Sequence, residues 1–231
     1  MQPLIREIIL DTETTGLNPA NNHRIIEIGC VELINRVKTG VEFHTYIDPK
    51  RNIPEDSFRI HGISLDFLKK NNAPFFEDIA HTFLEFIGDA SLIIHNASFD
   101  VKFLNHHLIE LGFLPVDHNR KIVDTLTLAR TKFPGSPINL DALCRRFKID
   151  LSSREKHGAL IDSNLLADVY IQLTGGYQDS LTIDVTKKQI EEIIITRRNL
   201  FSRENPTQIS EEEKLAHLEI LSKIKEPLWS I

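Results

Sequence analysis

The chain lacks most of the features that would place its 231 residues in a specialised class. Its two cysteines, Cys30 and Cys144, both lie in apolar sequence. That is too few for a disulfide framework, and buried thiols acting as small hydrophobes are the simpler reading. No apolar run approaches the roughly 20 residues needed to span a bilayer. Residues 1–6 lack the charged flank, apolar stretch and small-residue cleavage site of a secretory signal, so a cytoplasmic protein with no membrane partner is expected. Positive charge is scarce as well, because 27 Lys and Arg face 33 Asp and Glu for a net charge of -6. Affinity for polynucleotides comes mainly from cations on phosphates. The chain therefore either avoids nucleic acid or grips a few nucleotides while a partner holds it nearby. Beyond Gly176 there is no glycine at all. This change of character marks an expected division into a core domain at 1–176, a linker at 177–186 and a helical tail at 187–231.

What is present reads as a mixed α/β sheet flanked by helices. Residues 5–10 are nearly all apolar and run into Asp11-Thr-Glu-Thr-Thr-Gly16, the pattern of a strand buried on both faces that ends in a turn. Residues 25–33 and 41–47 read as two further strands joined by a hairpin connection at 35–40. The period then changes: Phe76, Ile79, Ala80, Phe83 and Ile87 recur at helical spacing and stop at Gly88. A short strand at 91–95, a helix at 98–111, a strand at 121–124 and helices at 125–131, 140–147 and 159–173 complete the core. In the tail, Thr186-x-x-Gln189 and Ser210-x-x-Glu213 have the form of capping boxes, each opening an apolar stripe. Those stripes fit a partner surface or packing back on the core.

The chemistry rests on carboxylates. Asp11 and Glu13, two apart on a strand, project to one face. At about 4 Å and an effective dielectric near 20, like charges repel by roughly 4 kcal/mol, which favours a bound cation. Oxygen-rich sites of this kind suit Mg²⁺ or Mn²⁺. Turn chemistry is the competing reading of the pair. Asp100, in His95-Asn-Ala-Ser-Phe-Asp100, falls in a first helical turn and points inward. The helix macrodipole alone would also favour an acid there. In His157-Gly-Ala-Leu-Ile-Asp162 the histidine and aspartate can converge only if His157 sits in the loop before the helix, since five helical positions differ by about 140°. Asp162 could then bind metal while His157 takes a proton from water.

Taken in order, these pieces resemble the D-E-D-D-h exonuclease superfamily, over roughly residues 6–176. The neighbouring word Ile60-His-Gly-Ile63 matches that superfamily as well, and within it Ala129-Arg130, Phe133-Pro-Gly135 and Leu140-Asp-Ala-Leu-Cys144 are similar to those of the epsilon, or proofreading, family of bacterial DNA polymerase III. The resemblance implies a ribonuclease H-like fold and 3′→5′ hydrolysis of DNA with release of nucleoside 5′-monophosphates. It implies two divalent cations, one held by Asp11, Glu13 and Asp162 and the other by Asp11 and Asp100, with His157 as the proton acceptor. Asp11, Glu13, Thr14, Leu17, Asp56, His61 and Asp162 would line the terminal nucleotide. Gln178, Leu181 and Ile183 are similar to a sliding-clamp peptide, and the final stretch through Trp229 is similar to the segment that docks on the polymerase alpha subunit. A small stabilising third subunit is a further expected partner. Two other functions stay open on the sequence alone: a free-standing exonuclease that trims RNA, and a silent binding module on the same fold.

Overall fold

The computed structural model describes residues 4–152, 154 and 156–175. The first strand, β1 (Arg6–Thr14), is the centre of a five-stranded sheet with order β3-β2-β1-β4-β5. It pairs antiparallel with β2 (Ile25–Ile34), which pairs antiparallel with β3 (Val37–Tyr46). On its other side it pairs parallel with β4 (Ser91–Ile94), and β4 pairs parallel with β5 (Ile122–Asp124). A hairpin half and a crossover half thus meet at β1.

Alternation along β1 divides the core into two layers. Ile8 and Leu10 pack with Phe83 of α3 (Phe76–Ile87) and with Phe103 and Leu104 of α4 (Ala97–Glu110). Ile9, on the opposite face, packs with Leu165, Leu166 and Tyr170 of α7 (Ala159–Leu173), alongside α5 (Thr125–Lys132) and α6 (Leu140–Phe147). Burying both faces explains the nearly unbroken apolar runs of β1 and β2. Cys30 and Cys144 are free, buried thiols within these layers. No helix of the described residues is long and apolar enough to cross a membrane.

As expected, Asp11 and Glu13 lie on the first strand, which β2 pairs as far as Thr14, setting Asp11 opposite Gly29 and Glu13 opposite Glu27. Two details differ from expectation. The hairpin connection is only Asn35-Arg36, both in the left-handed region at φ 48° and 66°, as a tight two-residue turn demands. Residues 37–40 look like a loop because they are polar, yet β3 is an edge strand and keeps that polarity in water. Finally, two short helices, α1 (Glu55–His61) and α2 (Leu65–Lys70), fill the segment between β3 and α3. At seven and six residues they are too short to show periodicity. Their start and stop signals are local: Ser64 Oγ accepts from Phe67 N–H at 3.0 Å, and Gly62, at φ 73°, ends α1. The expected linker, the clamp-like residues Gln178, Leu181 and Ile183, and the tail with Trp229 lie outside the described residues.

Candidate active site

Acidic side chains converge where β1 ends beside the first turns of α4 and α7. Asp11 and Glu13 follow Ile9 on the α7 face, as their spacing requires. Asp162 lies in the first turn of α7 and Asp100 in the first turn of α4, and each is 3% exposed. His157 occupies the loop before α7, with Gly158 as the N-cap in an extended conformation. Its Nδ1 is 3.3 Å from Asp162 Oδ2, and half of its side chain is exposed. Ligand atoms of Glu13, His157 and Asp162 all lie within 4.8 Å of one another. Asp11 belongs to the same field, since Asp100, Glu13 and Asp162 each act on its charge.

The electrostatics show what these groups lack. Burial first, then repulsion from Asp100, Glu13 and Asp162, pushes the Asp11 carboxyl well above its usual range. Glu13 is pushed up to about 8 by burial and by the negative charges of Asp162, Glu27 and Asp100. No described group donates a hydrogen bond to the Asp11 or Glu13 carboxylate, so neither is satisfied by the described residues. Asp100 is pushed up to about 7 by burial, although Thr12 donates to its Oδ1 from both backbone N–H (3.0 Å) and Oγ1 (2.6 Å). These are the properties of oxygen ligands that wait for a cation, so the residues present fit divalent metal ions.

Asp162 behaves differently. Burial would raise its carboxyl, yet the guanidinium of Arg154 and the imidazole of His157 together hold it below the usual carboxylate range. Arg154 donates through Nε to Oδ1 and through its Nη2 to Oδ2, both at 2.6 Å, while another nitrogen reaches Asp141 and Nη2 lies 3.0 Å from His157 Nδ1. Bidentate geometry of this kind gives the strong form of an arginine–carboxylate pair.

The other expected site residues are placed unevenly. His61 ends α1 in a buried position, and desolvation is the main reason its imidazole is pushed down to about 4. Its Nδ1 accepts from Ile63 N–H at 3.0 Å. The proton of the neutral ring therefore sits on Nε2, a buried atom with no hydrogen-bond partner among the described residues. Backbone N–H of His157 points to Ile60 carbonyl at 3.4 Å, and Lys156 and His157 both act on the His61 charge, so α1 and the His157 loop are neighbours. Thr14 is buried and donates to Gly16 carbonyl, whereas Leu17 is 81% exposed. The structure does not bring Asp56 to His61: its side chain is exposed and its partner is Arg59, one turn along α1.

Sequence reasoning missed Arg154, Glu27 and Thr12. Arg154 carries no signal among ordinary surface cations. Thr12 hides inside a motif whose acids draw attention. Glu27 did have one, since a glutamate within an apolar strand buried on both faces must have a partner.

A family model described as Exonuclease matches residues 8–170. The DNA polymerase III subunit epsilon of Rickettsia felis is 49% identical over 229 residues, covering 95% of this chain and 97% of that one. Its counterpart from Salmonella typhimurium is 44% identical over 227 residues, covering 93% and 91% respectively. Among solved structures, Exonuclease X in complex with 5′-overhanging duplex DNA aligns with a TM-score of 0.58 at 27% identity, over 81% of this chain and 98% of that one. The nuclease domain of 3′hExo, a DEDDh family member bound to rAMP, aligns with a TM-score of 0.61 at 20% identity over 75% and 93%, a likeness of fold alone. Fold and family together define a nuclease with a ribonuclease H-like sheet, a class whose activity depends on divalent metal ions. Within that class the chain belongs to the DNA polymerase III epsilon subunits, the 3′→5′ proofreading exonucleases of replication, which act on DNA as part of a polymerase complex.

Proposed function

We propose that this chain removes mispaired 3′-terminal nucleotides from DNA by hydrolysis at the Asp11, Glu13, Asp100 and Asp162 cluster, releasing nucleoside 5′-monophosphates. The observation that carries this reading is the convergence of four carboxylates, of which Glu13 and Asp100 are pushed up to about 8 and 7. Four negative charges balance two divalent cations, Mg²⁺ or Mn²⁺. When bound, such a pair supplies an activated water and stabilises the leaving 3′ oxygen. Asp11, Glu13 and Asp162 would hold one ion, and Asp11 with Asp100 would hold the other.

The chain's own groups supply the remaining work. His157, in a loop and half exposed, accepts the proton of the attacking water, and Asp162 beside its Nδ1 orients the ring. His61 stays neutral at physiological pH and presents Nε2–H as a donor to the terminal nucleotide, helped by Thr14 and the exposed Leu17. Asp56 joins this set only by a change in α1, given its present partner Arg59. None of these groups reads a base edge, so selectivity comes from fraying. Unpairing an end costs a few kcal/mol, and least at a mismatch. A chain of net charge -6 gains little from phosphates. Tethering compensates, raising the effective concentration of DNA ends into the millimolar range. The tail at 187–231 would dock on the polymerase alpha subunit, Gln178, Leu181 and Ile183 on the sliding clamp, and a small third subunit would stabilise the core domain at 1–176. A cytoplasmic location follows from that assembly.

The test is digestion of a 5′-labelled primer with a mispaired 3′ end, in Mg²⁺ or in EDTA. Wild type with metal should give a ladder shortening from the 3′ end, and Asp11→Ala should give none. Shortening of RNA but not DNA would favour a free-standing RNA-trimming enzyme. No shortening of either would favour a silent binding module.

A further inference from the structure

Among the described residues, Glu27 is the one buried carboxylate beside the acidic cluster that the proposed chemistry leaves unused. It sits opposite Glu13 across the β1–β2 pair and is 3% exposed. Its two oxygens have separate partners. Oε2 accepts from the backbone N–H of Ala159 at 3.1 Å, and Oε1 is 2.7 Å from His44 Nε2 on β3. Ala159 is the first residue of α7, and its N-cap, Gly158, has no side chain to satisfy the free N–H groups of the first turn. A neighbouring strand therefore supplies the cap, and a carboxylate at a helix N-terminus also suits the macrodipole.

Two further contacts fix the same turn to β2. A Cβ on Gly29 would lie 2.3 Å from the Ala159 carbonyl carbon and from Leu160 N, so only glycine admits α7 this closely. Ser163 Oγ donates to the Gly29 carbonyl at 2.8 Å. His157 lies two residues before Ala159 and Asp162 three after it, so whatever holds Ala159 sets the distance between the two side chains. Burying another negative charge beside Asp11 and Glu13 adds to the repulsion on both. A packing contact alone would avoid that cost.

We propose that Glu27 is a positioning residue that caps α7 from β2 and thereby places His157 against Asp162 for proton transfer. The proposal rests on the reading of His157 as the proton acceptor. A displacement of about 1 Å in such a group can cost on the order of 100-fold in rate.

The experiment measures kcat and KM of the full chain on a 5′-labelled single-stranded DNA for Glu27→Asp, Glu27→Gln, His157→Ala and the double variant Glu27→Asp with His157→Ala. Melting temperature and Mn²⁺ binding are measured for each. Glu27→Asp keeps the charge but withdraws the acceptor by one methylene. Its kcat should fall about tenfold or more, with KM for DNA within about twofold. Glu27→Gln should retain kcat within about threefold, because its amide oxygen still accepts from Ala159 N–H and its NH₂ can donate to the other tautomer of His44. His157→Ala alone should lower kcat by roughly 100-fold or more. The double variant should be no slower than His157→Ala, since a group acting through His157 has nothing left to position. Multiplying losses in the double variant, an unchanged Glu27→Asp, or Glu27→Gln as slow as Glu27→Asp would each overturn the assignment of Glu27. An unimpaired His157→Ala would instead refute the role of His157 itself.

Discussion

Asp100 and Asp162 are equally buried, each at 3% exposure and each in the first turn of a helix, yet their carboxyls are driven in opposite directions. Asp100 receives neutral donors, the N–H and hydroxyl of Thr12 and its own backbone N–H, and burial prevails over them. Asp162 receives a bidentate guanidinium and stays ionised. Burial sets the cost of a charge, and the partner decides whether that cost is met. Without metal, one side of the site is thus neutralised by the protein's own cation, while the other has no such partner among the described residues.

Removing the cation should break this contrast with the largest effect. Arg154→Ala leaves Asp162 buried without its partner, and loss of one member of a buried pair costs about 3 kcal/mol or more. Denaturant unfolding in EDTA at pH 7 should show that loss. A depressed carboxyl stabilises the fold above its unfolded value, near 4, and that contribution fades as pH falls through the folded value. The deficit of Arg154→Ala should therefore shrink in acid.

The raised carboxyls carry the opposite sign. From about pH 4 to 8 the folded protein binds more protons at Glu13 and Asp100 than the unfolded chain does. Metal-free protein should then lose stability as pH rises through that window, by up to about 1.4 kcal/mol per unit for each group that has yet to ionise. Saturating Mg²⁺ should flatten the slope, and thermal melts from pH 5 to 9 with and without the metal measure it.

The smallest effect sharpens the Asp100 side. Thr12→Val deletes the 2.6 Å hydroxyl donor and keeps the backbone one, which should raise the Asp100 carboxyl further and cost about 1–2 kcal/mol at pH 8 in EDTA. The change should be negligible at pH 5, where Asp100 is protonated in either protein. A carbon-detected NMR titration of the carboxyl would follow it directly.

Much of this arrangement was legible in the sequence because it follows from short-range rules. Spacing put Asp11 and Glu13 on one face, and His157 could meet Asp162 only from a loop, where it lies. Helix α3 declared itself by its period and by the glycine that ends it, and helices were expected close to where α4 and α7 lie. What escaped notice depends on pairing across the fold. Arg154 becomes a partner of Asp162 only once the loop before α7 is folded back, and Glu27 becomes a cap only when α7 is laid against β2. Local periodicity contains no term for such contacts.

The most direct test of the carboxylate cluster as a metal site is calorimetric titration of Mn²⁺ into wild type, Asp11→Ala and His157→Ala, repeated in buffers of different ionisation enthalpy. The account predicts that wild type at pH 6.5 binds metal with release of protons, because Glu13 and Asp100 must ionise to become ligands, and that the release shrinks by pH 9. His157→Ala should bind comparably and Asp11→Ala should not. Metal binding with no proton release, or equal binding by Asp11→Ala, would contradict it.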